Sequence, residues 1–173
     1  MKRFLFYFIA TVILGMFFTS CDKDDKSESS EITALEGKWA HNERTYNNDG
    51  YIDRTESFTF YGNKFALESS EIGVNSQGQS WGYGHKLTGS FICTEESTFT
   101  IKIEKFYSFN NDDKAFEWHE HDEGTIGKNF TFRYQFKYQI GESHSLGVTA
   151  PGEFSLGAGS FLGGEQVWYY AKE

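Results

Sequence analysis

Phe130-Thr131-Phe132-Arg133-Tyr134-Gln135-Phe136-Lys137-Tyr138-Gln139-Ile140 changes character at every residue. Its aromatic and aliphatic members fall two apart, and Thr, Arg, Gln and Lys fill the places between. Strand side chains alternate between two faces, whereas a helix repeats every 3.6 residues or so. The stretch therefore predicts an antiparallel strand with one dry and one wet face.

The same period recurs upstream. Phe99, Ile101 and Ile103 alternate with Thr100, Lys102 and Glu104, and Phe58 and Phe60 alternate with Ser57, Thr59 and Tyr61. Gly62-Asn63 reads as a tight turn into a returning strand at 64–68. Further strands are expected at about 36–43, 82–92, 115–123 and 165–172, with another near 144–149 or 154–157. No stretch after residue 34 carries a helical period. Eight or nine half-polar strands at regular spacing suggest an all-β barrel or sandwich. The glycine-rich stretch 141–164, which holds Pro151, reads as a poorly packed loop in preference to a flap over a barrel mouth.

The chain has 173 residues, which suits one domain. Its 18% aromatic content is too rich for a disordered chain. Lys and Arg number 16 against 25 Asp and Glu, a formal charge of −9 that repels phosphates and argues against a nucleic-acid partner.

The amino terminus reads as an address. Met1-Lys2-Arg3 is basic, Phe4–Phe18 carries no charge, and Thr19-Ser20-Cys21 precedes the charged run Asp22–Lys26. These are the parts of a secretory signal at residues 1–20, preferred over an uncut signal anchor. The apolar run is shorter than the roughly 20 residues of a membrane span. Residues 22 to about 34 are rich in Asp, Lys, Ser and Glu, which suits a solvated, disordered tether.

Phe18-Thr19-Ser20-Cys21 resembles the lipobox of bacterial lipoproteins. The resemblance implies that Cys21 becomes the first residue and carries acyl chains of the palmitate kind, each buried CH₂ adding about 0.8 kcal/mol of anchoring. Cys93 is then the one thiol left, so an intrachain disulfide is not expected. Cys21-Asp22-Lys23-Asp24-Asp25 is similar to the start of Bacteroidetes-type lipoproteins. That likeness implies an outer-membrane protein facing the cell surface, whereas in enterobacterial sorting Asp22 would hold it in the inner membrane. Leu35-Glu36-Gly37-Lys38-Trp39 resembles the opening of lipocalins and of the lipocalin-like domains on such lipoproteins. It implies an antiparallel up-and-down β-barrel of about eight strands over 35–173, with Trp39 as a structural plug at the closed end.

Two stretches invite a metal reading. In 115–123, alternation puts Glu117, His119, His121 and Glu123 on one face and Phe116 and Trp118 on the other. Two histidines two apart on a strand can share a zinc ion if His41, His85, His144 or a carboxylate completes the set. The preferred reading is a hydrophilic outer face. Thr45–Glu56 superficially fits a calcium loop, with Asn47, Asp49, Gly50, Ile52, Asp53 and Glu56 at suitable offsets, but Thr45 holds the first ligand position. The preferred reading there is an Asp-Gly turn between strands. No nucleophile elbow, His-Glu-x-x-His or P-loop is present. The acidic neighbours of Cys93 raise a thiol pKa.

The aromatic surplus remains. Some rings suit a cavity for a partly apolar ligand, with Phe99, Trp118, Phe132, Tyr134 and Phe136 as the candidate lining. Others suit exposed platforms for glycan or protein partners. Tyr169 and Tyr170 must point to opposite faces of the last strand. The sequence expectation is a membrane-anchored, non-enzymatic binding barrel without a cofactor. The alternatives are a surface protein that binds glycan or a protein partner, and a metal-dependent enzyme built on the His119/His121 face.

Overall fold

The computed structural model describes residues 32–95, 97–110, 116–122, 124–137, 144–156, 160–162 and 166–173. The expected signal peptide, Cys21, most of the tether, Glu123 and Tyr138–Ile140 lie outside them.

After one helical turn at 32–35, the chain is a succession of strands: β1 (Gly37–Asn47), β2 (Gly50–Tyr61), β3 (Lys64–Asn75), β4 (Ser80–Glu95), β5 (Thr98–Phe109), β6 (His119–His121), β7 (Asn129–Lys137), β8 (Ser145–Thr149) and β9 (Trp168–Lys172). Each pairs antiparallel with its neighbours, and β9 returns to β1 through Trp39 opposite Lys172 and Ala40 opposite Ala171. The result is a closed eight-stranded up-and-down barrel with β6 as an extra strand. Closure holds at the base of the barrel; beyond Ala40, among the described residues, β1 has no β9 partner, and β6 pairs only with β5.

The expected strand at 115–123 is a correction. Among its described residues, 116–122, only His119–His121 is extended; Phe116 has φ of 51°, which breaks the run before β6 begins. Both β6 and β7 pair with the same edge of β5, at residues 106–108 and 98–102 respectively. The wall strand is thus interrupted between β6 and β7, where the Gly127 and Lys128 backbones bond to Ile103.

A bulge accounts for a second departure. Gly89 pairs with Ile103 but Thr88 pairs with Lys105, so one residue of β5 is left over. Inward positions therefore shift from Phe99, Ile101 and Ile103 to Phe106 and Ser108. Phe109 is turned to the outer wall, where its ring lies against Gly84 and packs with Phe116 and Trp118.

Rings fill the bore. Phe99 stacks on Phe132 at 5.2 Å and meets Phe58 and Phe60 edge-on at 6.2 and 5.4 Å. Phe58 in turn meets Tyr170 at 5.3 Å. Such offset and edge-on pairs suit the ring quadrupole. The end where the chain enters is sealed by Leu35 and Trp39, both buried, with Trp39 Nε1–H donating to the Leu35 carbonyl at 2.7 Å. The Lys172 ammonium lies over the indole at 5.1 Å.

The glycine-rich stretch is not a loose loop in its described part. Phe154, Leu156 and Leu162 are buried in the core, and Phe154 packs on Phe130 and Phe132 at 5.1 and 4.9 Å. It plugs the barrel above the short strands β7–β9.

Phe99→Ala removes the ring at the centre of this packing. It is expected to cost about 3–5 kcal/mol, the range for burying a cavity in place of a phenyl group. Urea denaturation reads the loss; a cost below about 1 kcal/mol would contradict a close-packed bore.

Candidate functional site

Strand register turns the inner wall into rungs. Residues directly opposite one another share a face. One rung reads Trp39, Phe58, Leu67, Leu87, Phe106 and His121 across β1 to β6. It is apolar except at its last member. The next rung up reads His41, Glu56, Ser69, His85, Ser108 and His119. Above it come Glu43, Arg54, Glu71 and Tyr83, and then Thr45, Ile52, Gly73 and Trp81. The barrel thus changes from ring-filled to polar within about 7 Å, the rise of two strand residues.

Glu56 anchors the floor of this mouth. It is fully buried. Its carboxylate accepts from the Tyr170 hydroxyl, from Ser160 Oγ and from the Phe161 N–H at 3.1 Å. The strap at 160–162 is thereby tied across one side of the opening. His41 supports the strap: its ring meets Phe161 edge-on at 4.5 Å while Nδ1–H donates to the Tyr169 carbonyl at 2.9 Å. Burial pushes the Glu56 carboxyl up, and the Ser160, Tyr170 and Phe161 donors hold it back. Burial and the nearby Glu56 charge push Tyr170 up in turn.

The rung above is an ion-paired row. Arg54 Nε–H donates to Glu71 Oε2 at 2.7 Å, and Glu43 lies 3.9 Å from the same guanidinium. Burial, then the Glu71 charge, pushes the Tyr83 hydroxyl up. Arg54, Glu71, Tyr83, Ser160 and Phe161 line a concavity of about 300 Å³. That volume is at the lower end for a small-molecule site. Below it, Ser69 is 1% exposed and its Oγ has no hydrogen-bond partner among the described residues. A buried hydroxyl left unpaired costs on the order of 1–3 kcal/mol.

The residues singled out from sequence fall elsewhere. Phe99 and Phe132 are fully buried and Tyr134 nearly so, packed against each other in the bore. Phe136 is half-buried at the sealed end, 5.8 Å from Trp39. Trp118 sits on the outer wall, with the Lys86 ammonium 5.9 Å from its ring. His119 and His121 are exposed, as a hydrophilic face requires, but they share the inward-facing row of Ser108 and Phe106 instead of the outer wall, and His121 Nε2 bonds to Ser108 Oγ at 2.8 Å. Among the described residues, no three His, Cys, Asp or Glu side chains are grouped to hold a metal.

Thr45–Glu56 is a hairpin with its turn at Asn48-Asp49. Gly50, with φ of 148°, follows the turn; a Cβ there would meet the Val74 carbonyl at 1.8 Å. The acidic side chains of the segment do not converge. Asp53 faces outward onto Arg44, bonded at 2.5 and 2.6 Å, and that guanidinium holds it below the usual carboxylate range. Glu56 faces inward.

The sequence reading missed Arg54, Glu71 and Tyr83, and met Glu56 only as the last position of a calcium loop. The available signal was the period itself. Counting back by twos from Phe60 and Phe58 gives Glu56 and Arg54, and counting on from Phe65 and Leu67 gives Ser69 and Glu71.

The raised Glu56 pKa has a signed consequence. The folded chain holds this proton more tightly than the unfolded chain, whose ordinary value is 4.5. Its stabilising contribution is complete below that pH and is lost as pH rises through the raised value. Glu56→Gln, lacking this equilibrium, is expected to gain on the native chain as pH climbs from 4.5 towards 8. Urea denaturation across the range measures the difference, and a gap that stays flat with pH contradicts the assignment.

No protein-family model matches the chain, and no curated protein matches it in sequence.

Proposed function

We propose that this is a membrane-anchored binding module, held through Cys21 at the outer membrane, that keeps a small, partly apolar ligand in the mouth of its barrel without changing it chemically. One observation carries the reading. The bore is packed with rings, and the concavity above it is lined by a charged pair, a phenol and a phenyl ring. Small-molecule sites are concave and carry convergent polar groups that fix a ligand's orientation; here those groups dominate, with Phe161 as the apolar member. Arg54, Glu71 and Tyr83 would fix the polar part of a ligand, and Phe161 would cover its apolar part. The lipobox-like Phe18-Thr19-Ser20-Cys21 and the charged residues after it support the anchored location.

The ligand site therefore lies one storey above the rings first expected to line it. Phe99, Phe132 and Tyr134 act from below by filling the space a ligand would otherwise enter.

Native mass spectrometry of the gently purified protein, with and without a chelator, tests the reading. The expected result is a chelator-insensitive adduct on the order of a few hundred daltons, the size such a concavity accommodates. Arg54→Gln is expected to reduce its occupancy about tenfold, since a charged hydrogen bond to a ligand contributes on the order of 1.5–3 kcal/mol. An adduct that Arg54→Gln leaves in place contradicts it, as does a bare chain that takes up no added small molecule.

A further inference from the structure

We infer that the ligand of this mouth is a sugar ring; the inference rests on the reading of the mouth as the ligand site and names the class of ligand. Trp81 is the first observation. Its indole packs on β3 at Gly73, where a Cβ would come within 2.2 Å of the ring. Any residue but glycine would lift the indole off the sheet. Trp81 is 37% exposed, and its register with Gly73 puts it on the inward-facing set one rung beyond Tyr83, next to the concavity. A fixed, one-sided aromatic plate suits the C–H face of a pyranose, which is apolar while its rim is hydroxylated.

The groups beside the plate suit that rim. Tyr83 and Glu71 stand one rung below Trp81 and Gly73, and Arg54 stands beside Glu71. Rungs on one face are about 7 Å apart, a span that a single sugar ring with its hydroxyls bridges. Glu71 supplies planar acceptors and Arg54 planar donors, the pairing that vicinal hydroxyls satisfy.

Other ligand classes fit these groups less well. A phosphate or carboxylate would have to displace Glu71 and Glu43 from Arg54. A plain alkyl chain would bury the Arg54–Glu71 row, a desolvation loss with no return.

Calorimetric titration of the full chain in detergent tests the inference. The probes are cellotetraose, chitotetraose and mannotetraose, their monosaccharides, and laurate as a partly apolar ligand without a sugar ring. The expected result is that at least one saccharide binds, that Trp81→Ala weakens it about tenfold or more, and that Trp81→Phe keeps most of the affinity. Binding of monosaccharide and tetrasaccharide alike identifies a free sugar as sufficient; binding of the tetrasaccharide alone identifies a glycan chain. If laurate, or a co-purifying molecule without a sugar, occupies the mouth and no saccharide does, the sugar inference is overturned and the binding-module reading stands. If nothing binds and the chain is bare by mass, both fall. An unchanged melting temperature in Trp81→Ala separates loss of binding from loss of fold.

Discussion

The bore of an eight-stranded barrel is just wide enough for side chains to fill or for one small ligand to enter. In this chain the choice between the two is made rung by rung. Where the inward residues are Trp39, Phe58, Leu67 and Leu87, rings and aliphatic chains meet across the axis and close the space. Two residues further along each strand, the inward residues become Glu56, Ser69 and His85, and the interior turns polar. The strands β1 to β5 run on beyond that point while β7 to β9 stop short. A half-open polar trough results above a solid base, and that geometry decides where a ligand can go.

Glu56 is the seam between base and trough. A carboxylate at full burial carries a desolvation penalty of several kcal/mol unless donors replace water. Here they come from two distant parts of the chain: Tyr170 on the last strand, and Ser160 and Phe161 in the strap. The same need for donors that makes Glu56 expensive to bury holds the strap in place. The strap then carries Phe161 to the edge of the trough and Leu162 into the core. The described part of the glycine-rich connection is ordered by what its few large residues can reach, not by its own local preferences.

The sequence was legible where alternation was unbroken. Phe58 and Phe60, Phe99 to Ile103 and Phe130 to Phe136 each declared a strand and its dry face, and Gly62-Asn63 declared a hairpin. Tyr169 is exposed and Tyr170 buried, as opposite faces of one strand require. Legibility failed where register departs from counting. The bulge opposite Gly89 exchanged the faces of β5, so Phe109 left the core and Phe106 entered it. The same exchange decided β6: its histidines pair with the inward Phe106 and Ser108, so the neighbouring Trp118 falls outside the wall, against Phe109. The candidate site was hidden for a different reason. Arg54, Glu56, Ser69 and Glu71 occupy inward positions yet look like surface residues, because pattern reading assigns polar side chains to the wet face by default. A charged residue that falls in phase with a run of inward phenylalanines is the signal to seek.

The central claim is that this barrel is solid below Glu56 and receptive above it. Amide chemical-shift mapping tests it most directly, using the ligand retained on gentle purification or, for a bare chain, a neutral tetrasaccharide. The account predicts shifts concentrated at Arg54, Glu71, Trp81, Tyr83 and Phe161, with Phe58, Phe99 and Phe132 unmoved. Shifts centred on those three phenylalanines would place the ligand inside the bore and contradict the account.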